Sequence, residues 1–252
     1  MDIKDLIPTP NLLEAKNVLV IFPHPDDAEL TAGGTVALLT SKGAKVSYCC
    51  ATDGSMGCFD PSMTREKIAA IRKEEQARAA EALGVKDVHW LGFEDGFLPD
   101  IETVRRKMVA VIRLVKPDFI IALDPWLTYE AHPDHRKAAM AAVEAAMYAP
   151  FPLAYPEDIK KGQEPHSVGG IAFAVSSHPN SAIDITETWE RKIAACLCHK
   201  SQFPEPVWNN VFAPILTAKA AEIGRKIGAA FAEDFKVMTM THLHIFADAW
   251  RV

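Results

Sequence analysis

The chain has 252 residues, 49% of them hydrophobic and 24% charged, and its 27 Lys+Arg against 33 Asp+Glu leave a formal net charge of −6. Those proportions describe a globular protein with a sizeable core rather than a disordered or collagen-like chain, and the acidic balance argues against a nucleic-acid partner, whose phosphates need clustered Lys and Arg. No apolar run nears the roughly 18 residues that cross a bilayer, and the opening MDIKDLIPTP lacks the apolar stretch of a signal peptide, so no membrane partner is expected.

Short apolar runs alternate with helical segments up to about residue 146. The runs at 17–22 (NVLVIF), 46–51 (VSYCCA), 88–91 (VHWL) and 119–123 (FIIAL) are β-branched or aromatic and bounded by Gly, Pro or Asp, which predicts buried strands. Helices are predicted over 28–41, ending at Gly43, over 64–83, ending at Gly84, and over 101–115, ending before Lys116-Pro117. A fourth spans about 133–148 and stops at a proline-rich segment. After a loop-like stretch at 150–165, the pattern predicts a strand at 170–175 and a helix at 186–199. An Ala/Lys-rich helix near 215–231 and a last strand pair within 235–246 complete the chain. Such alternation gives right-handed βαβ crossovers and a parallel sheet covered on both faces. The expected fold is α/β: a Rossmann-like, doubly wound, mostly parallel sheet with helices on both faces. No linker or internal repeat divides the chain. Residues 1–252 therefore read as a single domain, with 1–150 the Rossmann-like core and 151–252 a continuation completing the sheet and pocket.

The five cysteines do not read as a disulfide framework. Cys49 and Cys50 are adjacent, Cys196 and Cys198 are one residue apart, and Cys58 is alone. An odd, clustered set fits a reducing compartment, and a cytoplasmic location is expected. Cys196-x-Cys198-His199 has some of the residues of a metal site, but it lies in a helical-looking stretch and lacks a second thiol pair at zinc-finger spacing. Buried helix cysteines are the better reading.

Two motifs carry the chemistry. Pro23-His24-Pro25-Asp26-Asp27 directly follows the first strand, and His132-Pro133-Asp134-His135 follows the fourth. In a doubly wound sheet of order 3-2-1-4-5, strands one and four are neighbours, and the crevice beyond their carboxyl ends is where ligands bind. That topology brings together two His–Asp clusters from more than 100 residues apart. Imidazoles with a carboxylate favour Zn²⁺ or a similar transition metal over Mg²⁺ and Ca²⁺, which prefer all-oxygen shells. A catalytic zinc commonly takes three such ligands and keeps one position open. His132 and His135, at i and i+3, share a helix face, and Pro133 fits the first helical position. Taken singly, either motif could be no more than a helix cap, and Asp134 could simply favour the positive helix end.

At these residues the chain resembles the PIG-L/LmbE-like zinc-dependent N-deacetylases. The resemblance runs through PHPDDAELTAGG, Thr52–Gly57 (TDGSMG), Arg72-x-x-Glu75-x-x-x-Ala79-x-x-x-Leu83-Gly84, residues 124–136 and His199-Lys200-Ser201-Gln202-Phe203. Residues 124–136, 165–168 and 199–203 are most similar to the diacetylchitobiose deacetylase branch. The resemblance implies one zinc ion per chain held by His24, Asp27 and His135, with Asp26 as general base and His132 as oxyanion stabiliser. Asp134 would keep His132 protonated. Arg72 and Asp95 match family positions that face the sugar, although each could equally be half of a structural ion pair. The implied reaction removes the acetyl group of an N-acetylated sugar such as N-acetylglucosamine or chitobiose. A trimer or hexamer of identical chains is implied as well.

Other signals are softer. Trp126 follows the fourth strand, where it could stack on a sugar ring or pack at a rim. His178, in a Ser-His-Pro-Asn loop, could border the pocket. His89, His242 and His244 lie in strand-like runs and read as structural. Ala32-Gly33-Gly34-Thr35 lacks both G-x-G-x-x-G and the P-loop lysine, so its glycines are expected to let the first helix pack closely on the sheet. Two rivals stay open: a deacetylase of another N-acyl glycoside, such as a thiol-glycoside or antibiotic precursor, and a nucleotide-binding Rossmann module.

Overall fold

A computed structural model of the chain describes residues 6–252. Seven strands form one sheet in the order β3-β2-β1-β4-β5-β7-β6. They are β1 (Asn17–Phe22), β2 (Lys45–Thr52), β3 (Asp87–Phe93), β4 (Phe119–Leu123), β5 (Gly170–Ala174), β6 (Ser181–Asp184) and β7 (Ala232–Met238). β1 pairs in parallel with both β2 and β4, and β4 with β5, whereas β7 runs antiparallel between β5 and β6. The predicted order and mostly parallel character hold, and the sheet continues without a break into the last hundred residues.

The central strands have apolar residues on both faces because both faces are covered. Val18, Val20 and Phe22 of β1 join one core, and Leu19 and Ile21 join the other, as a two-residue side-chain period requires. The first core is closed by α1 (Asp27–Ser41), α2 (Arg65–Ala82), α6 (Trp189–Cys196) and α7 (Ala213–Ile227). The second is closed by α3 (Ile101–Val115) and α4 (Pro133–Tyr148). Local chemistry sets the helix ends. The Asp100 carboxylate accepts from Thr103 N at the start of α3, which ends on a left-handed Lys116 just before Pro117. α4 begins at Pro133 as expected, with His132 as its cap.

Several expectations about the C-terminal part are corrected. The anticipated strand pair at 235–246 is one strand, β7, followed by α8 (Met240–Ile245). A capping box between Thr239 and His242 starts that helix, so His242 and His244 are helical, while His89 does lie in β3. β6 was not anticipated, since SAID has no apolar run of its own and is stabilised as an edge by pairing with β7. The predicted helix at 186–199 is a 3₁₀ turn, Thr186–Thr188, and the shorter α6. Cys196 is therefore its last residue, and Cys198 lies beyond it, half-buried. The stretch at 150–165 contains a short helix, α5 (Pro156–Lys160), organised by buried Arg113, which donates to the carbonyls of Ala149, Phe151 and Ala154. The glycines of α1 serve close packing, but against a different neighbour. A Cβ at Gly34 would lie 2.5 Å from Ile185 Cδ1, in the segment between β6 and α6.

Candidate metal centre and active site

The strand order changes direction at β1 and β4, and the loops leaving their carboxyl ends carry the two motifs. They meet around a cavity of about 230 Å³ lined by His24, Asp26, Asp27, Arg72, Asp95, His132 and His135, with Gln202 at its edge. Seven of the ten residues singled out from the sequence are thus brought together. Asp134 lies directly behind this cavity, and Trp126 and His178 line a separate, neighbouring one.

One ring nitrogen from each of His24, His132 and His135 lies within 4.8 Å of the others. Asp27 bridges two of these rings, with Oδ2 3.3 Å from His24 Nδ1 and Oδ1 3.6 Å from His135 Nε2. The far nitrogens of the same two rings are held by other carboxylates. His24 Nε2 lies 3.0 Å from Asp95 Oδ1 and 3.3 Å from Asp134 Oδ2, while His135 Nδ1 lies 3.1 Å from Glu130 Oε2. Metal-ligating imidazoles are oriented in this way, with the outer nitrogen donating to a carboxylate and the inner one free to ligate. The donor set fits a divalent transition metal, and His24 Nδ1, Asp27 and His135 Nε2 are the atoms that converge.

The electrostatics agree. Burial lowers the pKa of His24, but hydrogen bonds to Asp134, Asp27 and Asp95 outweigh that and push it up to about 11. Three carboxylates around one imidazole call for positive charge in their midst. Burial raises the pKa of Asp27, yet the hydrogen bond and charge of His24 hold it below the usual carboxylate range. For Asp26 the balance goes the other way: burial and the neighbouring Asp27 charge push it up to about 7, against the pull of Arg72.

Asp26 is held under strain. Its φ of 110° is left-handed, unusual for a residue with a Cβ. Arg72 fixes it by donating to Asp26 Oδ2 (3.0 Å) and to the Pro25 carbonyl, while Gln76 Oε1 accepts from Asp26 N. Arg72 in turn is wrapped by the loop at 54–57: it donates to Gly54 O, and a Cβ at Gly57 would come within 2.6 Å of its guanidinium. Arg72 is thus first a support of Asp26, and Asp95 first a support of His24, even though both line the cavity.

Two expectations for the second motif need correction. The Asp134 carboxylate makes no hydrogen bond to the His132 ring. Buried, it accepts from Gly96 N (2.7 Å) and Leu98 N (3.4 Å) and faces His24. Nor does His132 favour a second proton, since burial and the charges of His24 and His135 lower its pKa. Its Nδ1 accepts from Asp134 N (3.2 Å), which leaves a neutral ring with hydrogen on Nε2. As predicted, His132 and His135 share a face, their rings stacked at 4.8 Å.

Sequence reasoning assigned Glu130, Gln76, Glu29 and His199 no role at this centre. The last three form a buried chain behind the centre: Gln76 Nε2 donates to Glu29 Oε1 (2.9 Å), and Glu29 Oε2 lies 3.2 Å from His199 Nε2. The available signal was polar. Arg72, Gln76, Ala79 and Ala80 recur at helical spacing with Ile68 and Glu75, so the buried stripe of α2 is charged in its middle.

Comparison with known proteins agrees with this geometry. A model of the family described as PIG-L: GlcNAc-PI de-N-acetylase matches residues 19–146, which spans both motifs. The chain belongs to the PIG-L family. It is 41% identical to a diacetylchitobiose deacetylase of Thermococcus kodakarensis over 92% of this chain and 86% of that one. It is also 37% identical to a probable N-acetyl-alpha-D-glucosaminyl L-malate deacetylase 2 of Bacillus cereus, over 82% and 93% respectively. Among solved structures it superposes on N,N'-diacetylchitobiose deacetylase from Pyrococcus horikoshii with a TM-score of 0.88 and 40% identity, covering 93% of this chain and 89% of that one. This PIG-L chain has no helix among the described residues that is long and apolar enough to cross a membrane.

Proposed function

We propose that this PIG-L chain hydrolyses the N-acetyl group of an N-acetylglucosamine-type sugar, releasing acetate and a free amine. One observation carries the reading: a strained, elevated-pKa Asp26 and a neutral His132 flank a His–Asp–His donor set in one cavity, in a chain 41% identical to a diacetylchitobiose deacetylase. We assign zinc to His24, Asp27 and His135. His132 is left out because its outer nitrogen rests on a backbone N–H, whereas the other two rings are backed by carboxylates. When bound, such an ion would act as a Lewis acid and would bring the pKa of a water ligand down towards neutrality.

The chain's own residues supply the rest. Asp26 takes the proton of the attacking water and returns it to the leaving amine, and a pKa near the working pH suits both transfers. Arg72 and Gln76 keep its carboxylate aimed while its backbone is strained. His132 Nε2–H donates to the acetamide oxygen as negative charge grows there. A homo-oligomer, trimer or hexamer, follows from the family resemblance, and light scattering tests it. A cytoplasmic setting follows from the odd cysteine set, and cell fractionation tests it.

The decisive assay is acetate release from N-acetylglucosamine and its β-1,4 dimer, with and without a chelator. Acetate release that stops on chelation and returns with zinc is expected. Full activity in the metal-free protein would overturn the reading, and release only from another N-acyl glycoside would shift the substrate within the same chemistry.

A further inference from the structure

The left-handed φ of Asp26 depends on which way the Pro25–Asp26 peptide group faces, and both ends of that group are held. Arg72 donates to its carbonyl, and Gln76 Oε1 accepts from its N–H at 3.1 Å. Turning the group over would relax Asp26 to an ordinary negative φ and break both bonds. Strained backbone persists only where its surroundings over-determine it. The two tethers differ in kind. A guanidinium can only donate, so the carbonyl has to face Arg72. A glutamine amide can present either its oxygen or its NH₂, so a further group has to fix which end of Gln76 meets Asp26 N.

Glu29 is that group. Gln76, Glu29 and His199 are all 0% exposed, which leaves their polar atoms to one another rather than to solvent. Gln76 Nε2 donates to Glu29 Oε1 at 2.9 Å, and Glu29 Oε2 lies 3.2 Å from His199 Nε2. His199 Nδ1 has no hydrogen-bond partner among the described residues. A hydrogen there would be a buried donor without an acceptor, so the ring carries its hydrogen on Nε2. The Glu29 carboxylate therefore accepts on both sides. Its Oε1 keeps the amide nitrogen of Gln76 turned inward, and hence the amide oxygen turned to Asp26 N. An amide of the same shape at position 29 would pack equally well, but it could not accept from both neighbours.

We propose that Glu29 is a positioning residue for Asp26: its carboxylate holds the Gln76 amide in the one orientation that keeps the Pro25–Asp26 peptide group, and with it the general base, in place. The inference rests on the deacetylase reading above. Glu29→Gln is isosteric, yet His199 Nε2–H takes up the new amide's oxygen and turns its NH₂ toward Gln76. The Gln76 amide then flips and sets its own NH₂ against Asp26 N. Measured on whichever of N-acetylglucosamine and its β-1,4 dimer the wild type cleaves, kcat per zinc-loaded molecule should fall at least tenfold, a scale that small misplacements reach. KM should stay within twofold, with zinc still stoichiometric by elemental analysis. In native-state hydrogen exchange followed by NMR, the Asp26 amide should exchange at least tenfold faster. The swap Glu29→Gln/Gln76→Glu restores each pairing, because the carboxylate at 76 accepts from Asp26 N and from the amide at 29, whose oxygen still accepts from His199. Protection of the Asp26 amide and most of kcat should return in the swap, even where the single variant is poorly folded. Wild-type kcat in folded, zinc-loaded Glu29→Gln overturns the proposal, as does a swap whose Asp26 amide is no better protected than in Glu29→Gln. The deacetylase reading fails separately, if wild-type protein releases acetate from neither sugar, and exchange of the Asp26 amide still decides the role of Glu29 in that case.

Discussion

The metal centre and the aromatic cavity sit side by side on the same sheet edge, yet they are built in opposite ways. In the centre the functional side chains are mostly buried and committed: Asp26 to Arg72, His24 to Asp27, Asp95 and Asp134, His135 to Asp27 and Glu130. In the cavity the walls are half-exposed indoles fixed largely through backbone groups. Chemistry on an acetamide needs groups fixed to fractions of an ångström, and a dense polar network provides this. Among the described residues the aromatic wall has no comparable network and is held by ring contacts and backbone hydrogen bonds. Substitutions in the centre should therefore act on catalysis and metal binding, and substitutions in the aromatic wall should leave both largely intact.

The largest effect is expected from Asp26→Asn, which keeps the shape and the Arg72 contact but removes the basic carboxylate. General acid–base catalysis is worth about 10²–10⁴-fold, so kcat should fall about a thousandfold with bound zinc still stoichiometric by elemental analysis. Loss of zinc along with activity would move Asp26 into the ligand set and break the division of labour drawn here. His132→Ala should come next, at about a hundredfold in kcat, within the range for removing one oxyanion donor. On the proposed role, His132 meets charge that grows only in the transition state, so its removal should leave KM nearly unchanged. Asp134→Asn follows: it removes a carboxylate behind His24, where supports of this kind are worth about 10–100-fold in metal affinity. Competition with a zinc chelator should show that loss at saturating-metal activity close to wild type.

These predictions rest on different depths of reading. The sheet order and both motifs were legible in the sequence, because buried parallel strands are continuous apolar runs and the helix ends carry Gly, Pro or a capping side chain. That the two His–Asp motifs meet in one crevice followed from topology, whereas His24, Asp27 and His135 as the ligand set came from the family resemblance. What escaped the sequence was long-range polar pairing. Nothing local tells Asp134 to face His24 across 110 positions, or Glu29 to meet His199 across 170. The polar part of the buried stripe of α2 is not legible in the same way, because a hydrophobic period does not score Arg72, Glu75 and Gln76 as buried. β6 was missed for a related reason, since a four-residue edge strand is defined by its partner β7 rather than by its own residues.

The smallest effect concerns stability, and it sharpens the contrast most. Truncating a buried large aromatic costs about 3–5 kcal/mol, but Trp126 is half in water and meets Phe173 through an edge-to-face contact. Such pairs add only about 0.5–1.5 kcal/mol, and Ala at 126 retains the backbone N–H that Asp124 accepts. Trp126→Ala should therefore destabilise the fold by about 1 kcal/mol, a Tm shift of about 2–4 °C for a chain of this size. Phe173→Ala, fully buried beneath it, should shift Tm several times further. Calorimetric scans of the two variants decide the matter. A Trp126→Ala shift as large as that of Phe173→Ala would make the indole a core residue rather than a half-exposed wall of the cavity.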